Sequence, residues 1–169
     1  MQPSITIRMS TAEDAKAVAT VFRVAFAPLR AIYRPSEHTA ARQPLGQQEG
    51  TRLVAELDQQ VVATVQFDSH EDYLHVIGLA VHPQHQQKGI ARRLLDWIDS
   101  QALSAGRTAI VLRTIEQTGN VPVFERLGFR SIDEGVSDRF ESGIYPELYE
   151  VKMRRTISSP IGKVPRELP

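Results

Sequence analysis

The chain has 169 residues, 20 basic and 20 acidic side chains for a formal net charge of zero, and no cysteine. That length suits one domain burying roughly two thirds of its unfolded surface, and the balanced charge offers no overall attraction to nucleic acid or anionic lipid. The lack of cysteine excludes disulfides, thiolate metal sites and a thiol nucleophile, and fits a reducing compartment. Met1 to Ser10 lacks a basic stretch followed by an apolar run, and no apolar segment approaches the roughly 20 residues that span a bilayer. The expectation is a soluble, cytoplasmic protein, monomer or homodimer, with no nucleic-acid or membrane partner.

Ile5, Ile7 and Met9 alternate with polar residues as a short strand does, and Ser10-x-x-Glu13 predicts a capping box for a helix. That helix carries Ala15, Val18, Ala19, Phe22 and Phe26 at helical spacing and is expected to end before Pro28. Arg30 to Gly50, with Pro35, Pro44 and Gly46, reads as irregular or partly helical, where a substrate loop could sit. Leu53–Leu57, the polar turn Asp58–Gln60 and Val61–Phe67 read as a hairpin, and Tyr73–Val81 as a central strand. From Gly89 the period changes: Ile90, Leu94, Trp97, Ile98 and Ala102 predict a helix that Gly106 stops. Ala109–Leu112 reads as a buried strand, Val121–Leu127 as a short helix capped by Gly128, and Phe129–Ile132 and Leu148–Met153 as strands. Residues 1–155 therefore form one α/β domain, a mixed sheet with helices on both faces, followed by a proline-containing tail over 156–169 that is expected to be flexible.

The most informative stretch is VIGLAVHPQHQQKGIA, Val76 to Ala91, where a strand passes through Pro83 into a turn and a helix. A helix start normally carries Ser, Thr, Asp or Asn as its cap and acidic residues in its first turn. This one has Gln86, Gln87, Lys88 and Gly89, then Arg92 and Arg93. Positive charge on the positive end of the helix dipole is unfavourable unless an anion serves as the cap, which suits a phosphate held by exposed N–H groups. Gly89 lets the backbone approach a ligand, and Ala91 keeps the next facing position small. A solvated basic face is the competing reading. No GxGxxG and no phosphate loop ending in Gly-Lys-Ser or Gly-Lys-Thr is present, so neither a Rossmann nor a P-loop site is indicated.

Gln86-x-x-Gly89-x-Ala91, following Leu79-Ala80-Val81-x-Pro83, resembles the signature Arg/Gln-x-x-Gly-x-Gly/Ala of the GNAT N-acetyltransferase superfamily. Asn120 to Phe129 resembles a second segment of that family, and the likeness extends over roughly residues 3–153. The resemblance implies a splayed mixed sheet and acetyl-CoA as co-substrate. It implies that Gln86, Gln87, Lys88, Gly89, Ile90, Ala91 and Arg92 bind the pyrophosphate. Leu79, Ala80 and Val81 would pair with the pantetheine arm, Asn120 would bond its amides, and Phe124 would line the cofactor. The implied reaction is direct transfer of the acetyl group to a primary amine of a small molecule. Two alternatives stay open, an acyl-CoA sensor or interaction module and an acetyltransferase acting on protein amines.

An alkylammonium group titrates near pH ~10, so transfer needs a base or desolvation to free its lone pair. His75 is the candidate base, read as sharing strand parity with Ile77, Leu79 and Val81, in a Tyr73-Leu74-His75 stretch resembling arylalkylamine-type members. A strand histidine bonded to a neighbour is the plain alternative, and Glu71 the second candidate. The resemblance gives the oxyanion donor as the Val81 N–H. Many members protonate the leaving thiolate with a tyrosine where this chain has Phe124, so the acid step is open, with Tyr145 or Tyr149 as substitutes. His82-x-x-His85 lacks acidic or cysteine partners, and no metal is expected. Asp133, Glu134, Asp138 and Glu141 read as a solvated loop that could greet a cationic acceptor, whereas Arg30, Arg34 and Arg42 could greet an anionic one.

Overall fold

The computed structural model describes residues 4–42 and 50–157. Strand β1 (Ile5–Met9) leads through a 3-10 turn into helix α1 (Ala15–Arg30), followed by the two-residue strand β2 (Arg34–Pro35) and helix α2 (Glu37–Arg42). Strands β3 (Thr51–Leu57), β4 (Gln60–Ser69) and β5 (Tyr73–Val81) precede helix α3 (Ile90–Ser104) and strand β6 (Ala109–Ile115). Helix α4 (Asn120–Arg126) and strands β7 (Arg130–Val136), β8 (Phe140–Glu141) and β9 (Tyr149–Thr156) complete the described chain. Seven strands form one sheet in the order β1-β3-β4-β5-β6-β9-β7, and β2 pairs with β8 apart from it. Among the described residues, the only parallel neighbours in the large sheet are β5 and β6.

Alternation along β4 divides the sheet faces. Ala63, Val65 and Phe67 join Leu94, Leu95, Ile98 and Ala102 of α3 in the main core, while Thr64 and Gln66 are buried on the opposite face, where α1 packs. The α3 stripe repeats every three to four residues, as its sequence pattern requires.

Several expectations shift. The cap before α1 is Thr11 with Asp14, not Ser10 with Glu13: the Thr11 N–H donates to Asp14 Oδ2 at 2.8 Å. The register moves because the Ser10 N–H bonds to the Arg52 carbonyl at 2.9 Å, holding Ser10 in the strand's continuation. Pro28 lies inside α1, in its last turn, where it forgoes the N–H bond to the Val24 carbonyl, while the buried Val18 and Val21 anchor the helix ahead of it. Asp133 and Glu134 stand on the exposed edge strand β7, and Glu141 lies in β8, so these acids are not one loop. The sheet reaches Thr156, and the Ile157 N–H still bonds to the Thr108 carbonyl at 2.9 Å. The expected tail from 158 onward, and Pro44 and Gly46, lie outside the described residues.

Candidate active site at the splayed strand pair

Strands β5 and β6 pair only at Tyr73–Ala109, Leu74–Ile110 and His75–Val111. Beyond His75 they part: β6 continues to Ile115 against β9, whereas β5 from Val76 to Val81 has no strand on that side among the described residues. The hydrogen-bond phase shows what this free edge presents. The His82 N–H donates to the Val62 carbonyl at 2.8 Å, so 62 and 82 are a bonded pair. Ala63 opposite Val81 is then a non-bonded pair, whose N–H and C=O groups point away from each other. Leu79 and Val81 therefore aim their amides and carbonyls into the opening, and Ala80 is bonded to β4.

One residue interrupts this strand. Gly78 has φ +60°, and β5 spends one residue more than β4 between the pairs Gln66–Ile77 and Thr64–Ala80, which is a bulge. A Cβ at Gly78 would stand 3.1 Å from the Phe22 ring, so glycine serves both the backbone angle and the packing of α1. The extra residue reverses parity. Leu74 and Val76 face the α3 core before it, and Leu79 and Val81 pack against that core after it. His75 thus lies on the α1 face, opposite Leu79 and Val81, which corrects the shared parity expected from simple alternation.

The turn after β5 forms the second part of the site. His82, Pro83 and a 3-10 turn lead to Gln86, whose Nε2 donates to the Val81 carbonyl at 3.0 Å. Gln87 at φ +61° and Gly89 at φ +77° then curl the backbone into the start of α3. Gly89 is the N-cap of α3, offers no side-chain cap, and no acidic residue stands in the first turn. The first intrahelical bond comes from the Arg93 N–H to the Gly89 carbonyl at 3.1 Å, so the amides of Ile90, Ala91 and Arg92 have no helical acceptor. The left-handed Gln87 is a strained position, a feature that concentrates at functional sites. The arginine side chains do not crowd this end, contrary to the expected stacking of charge. Arg92 Nη2 donates to the Arg126 carbonyl at 2.9 Å, and Arg93 Nη2 to the Ile5 carbonyl at 3.0 Å. Arg92 contributes its amide to the helix start, and Lys88 is the exposed cation there.

Helix α4 follows the far end of β6, and the Arg92–Arg126 bond ties it to α3. Asn120 is its first residue, partly exposed. Phe124, one turn on, meets Phe129 edge-on at 5.9 Å and packs against the core with part of its ring exposed. The Tyr149 hydroxyl lies 3.4 Å from Glu147 Oε2, while Tyr145 is 40% exposed, so neither is held by a buried partner.

On the α1 face, His75 stands directly opposite Asp68 of β4, with Nδ1 3.5 Å from Asp68 Oδ1. Burial lowers its pKa, the Asp68 carboxylate works against that, and the charges of His70, Arg113 and Arg139 add to the lowering. The lowering favours the neutral ring, the form that accepts a proton. Glu71 lies in the exposed turn between β4 and β5, its carbonyl taking the Arg107 guanidinium at 2.7 Å. Sequence reading missed Asp68 and took His70 only as a histidine near His75 and the His82-x-x-His85 spacing, where no metal was expected. A cross-strand Asp–His pair becomes visible only when the hairpin register is known. Arg34 and Glu141 neutralise each other at 2.8 Å, and Arg113 and Arg139 share Glu150 at 3.0 and 2.8 Å, so the opposed charge hints partly cancel.

Three solved structures superpose on this chain over nearly its whole length. An N-acetyltransferase from Staphylococcus aureus Mu50 is 17% identical, with a TM-score of 0.68, covering 92% of this chain and 99% of its own. The protein yncA from Salmonella typhimurium, solved with acetyl-CoA, is 22% identical, with a TM-score of 0.67, covering 92% and 95%. The ribosomal-protein-S18-alanine N-acetyltransferase from Escherichia coli is 17% identical, with a TM-score of 0.66, covering 95% and 99%. At these identities the likeness is one of fold. The sequence model of the acetyltransferase (GNAT) family matches residues 17–129, from the first turn of α1 through α4 to Phe129. This chain belongs to the GNAT family and is an acetyltransferase.

Proposed function

We propose that the chain transfers the acetyl group of acetyl-CoA to a primary amine of a small molecule in the cytoplasm, by direct attack with both substrates bound. The observation that carries this reading is the free edge of β5, where Leu79 and Val81 turn backbone groups without a strand partner toward an opening that ends at the uncapped start of α3, the Val81 carbonyl being held by Gln86 and its amide left free of β4. A strand-like amide chain fits the first and a pyrophosphate the second. The amides of Gln87 through Arg92 and the Lys88 ammonium hold the phosphates, Asn120 faces the pantetheine from α4, and Phe124 lies against its thiol end. The bound co-substrate supplies the acetyl thioester. The Val81 N–H is the donor for charge on the acyl oxygen, fixed in place because Gln86 holds the same residue's carbonyl.

His75 is the base in this reading. With Asp68 favouring a proton on Nδ1, the Nε2 lone pair is left to take the proton of the incoming ammonium. A small acceptor is favoured by the β2–β8 ribbon near this face: the charge of Arg139 reaches His75, its guanidinium lies 5.3 Å from the Phe140 ring, and Phe140 meets Tyr33 edge-on at 5.2 Å.

Release of CoA thiol tests the reading directly, with a panel of small primary amines beside amino-terminal and lysine peptides. Turnover of a small amine at rates above every peptide is expected. Turnover of peptides alone would move the acceptor to proteins, and tight acetyl-CoA binding with no accepted amine would make the domain a sensor.

A further inference from the structure

We propose that Asp68, His70 and His75 form a site for a divalent cation of the zinc type, and that its occupancy disables the His75 side chain. The three residues come from the end of β4 and the start of β5, and the hairpin holds them in place. The His70 N–H donates to the Tyr73 carbonyl at 2.9 Å, and the His70 ring stacks on the Tyr73 ring with centroids 4.7 Å apart. Asp68 lies opposite His75 in register. Both imidazoles aim a nitrogen at the same carboxylate oxygen: His70 Nε2 is 3.0 Å and His75 Nδ1 is 3.5 Å from Asp68 Oδ1.

All three donor atoms lie within 4.8 Å of one another. Bonds of about 2.0–2.1 Å in a tetrahedral zinc site place its donor atoms roughly 3.3–3.5 Å apart. A small closure of the two rings, now edge-to-face with centroids 5.7 Å apart, reaches that spacing. Two imidazoles and one carboxylate suit Zn²⁺, Co²⁺, Ni²⁺ or Cu²⁺ rather than Mg²⁺ or Ca²⁺, and three protein ligands leave a position open to water.

Access is direct, since the side chains of Asp68, His70 and His75 are 35%, 44% and 27% exposed. A cavity of about 400 Å³ adjoins Asp68 and His70. The cations facing the site, Arg113 and Arg139, are both engaged by Glu150, and Asp68 is left to offset the charge of an incoming dication. The His82–His85 pair, with ring centroids 5.7 Å apart, is the rival location, but it joins no third donor among the described residues.

The consequence for His75 follows from its tautomers. A metal on Nδ1 leaves the proton of the neutral ring on Nε2, so that nitrogen can no longer accept one. This second half rests on the assignment of His75 as the base, whereas cation binding does not.

The test uses the metal-free full chain, titrated with Co²⁺ by visible absorption and with Zn²⁺ by calorimetry. One equivalent is expected to bind, and His70→Ala and Asp68→Asn are each expected to weaken Zn²⁺ binding about ten-fold or more. His82→Ala should bind as the parent does, and melting temperatures should confirm that all variants are folded. His70→Ala should also lose inhibition by Zn²⁺, measured against its own metal-free transfer rate. Parent-like binding by His70→Ala, loss of binding in His82→Ala, or no Co²⁺ spectrum up to about 1 mM would overturn the site. Zn²⁺ binding that needs His70 but leaves transfer untouched would refute the disabling of His75. A failed base assignment gives a different result, because His75→Ala then retains turnover while the His70-dependent Zn²⁺ binding persists.

Discussion

Gln86 Nε2 donates to the Val81 carbonyl at 3.0 Å, bridging the turn before α3 and the free end of β5. The bond spans five residues and caps a carbonyl that has no strand partner. Gln86→Ala removes one hydrogen bond, worth about 1 kcal/mol. Acetyl-CoA binding should weaken roughly five-fold, with a matching loss in kcat, because both parts of the site lose their common tie. Calorimetry and initial rates check this, and an unchanged dissociation constant would show that the turn holds its shape without Gln86.

At Gly89 the φ of +77° is the reason for glycine, since an added Cβ would meet nothing within 4 Å. Gly89→Glu should therefore fold, at a backbone cost of about 1–2 kcal/mol, while placing a carboxylate at the cradle. Ligands that bind only the native state raise its melting temperature by mass action. The parent should show that rise with acetyl-CoA and the variant should show none.

The uncapped start of α3 was legible because its signal is local. A helix start after a strand, with Gly89 and neither a capping side chain nor an acid in its first turn, is a short-range pattern, and Gly89 is the N-cap. The face of His75 was not legible. Period-two reasoning assumes an uninterrupted strand, and the Gly78 bulge depends on the partner register of β4 and on Phe22 of α1. Asp68 opposite His75 was hidden for the same reason, being set by hairpin register. Arg92 and Arg93 illustrate a further limit, since their acceptors, the carbonyls of Arg126 and Ile5, lie 34 and 88 residues away in sequence. The Arg34–Glu141 pair, 107 residues apart, joins two segments whose opposite charges gave conflicting hints about the acceptor.

Phe124 stands edge-on to Phe129 at 5.9 Å with part of its ring exposed. Phe124→Tyr keeps the ring and adds one hydroxyl, so stability should change by less than about 1 kcal/mol. With a proton donor beside the leaving thiolate, turnover should rise a few-fold, below the ~10²-fold of a fully supported general acid. Steady-state rates at saturating acetyl-CoA measure this. No gain, together with a sharp loss of kcat in Tyr145→Phe or Tyr149→Phe, would move the acid to the segment preceding or opening β9.

Asp14 gives the fold a defined acid sensitivity. Arg8 donates to its two oxygens at 2.8 and 2.9 Å and Thr11 N–H at 2.8 Å, and these bonds, Arg8 foremost, hold its pKa well below the usual carboxylate range. A carboxylate with a depressed folded-state pKa contributes stability that is fully present above its unfolded value near ~4 and is lost as pH falls below it. Asp14→Asn should cost about 1–2 kcal/mol at pH 7, and the gap to the parent should shrink in acid. Urea melts across pH 3–7 read this out, and a gap independent of pH would assign the loss to packing.

His75→Ala should lower kcat about a hundred-fold or more with the acetyl-CoA dissociation constant unchanged, because His75 lies on the α1 face and the cradle on the other side of the bulge. Glu71→Gln, in the exposed turn, should leave both parameters near those of the parent. A His75→Ala enzyme with parent kcat would remove it as the base.

The most direct measurement is a backbone amide NMR titration of the ¹⁵N-labelled chain with acetyl-CoA. Leu79 and Val81 on the free edge of β5, and Gln87 through Arg92 at the start of α3, should shift and gain protection from hydrogen exchange, while Asp133 to Val136 on the far edge strand stay unmoved. Perturbation of the α3 amides without any change at Leu79 and Val81 would contradict the account, since the splayed strand would then not be where the acyl donor lies.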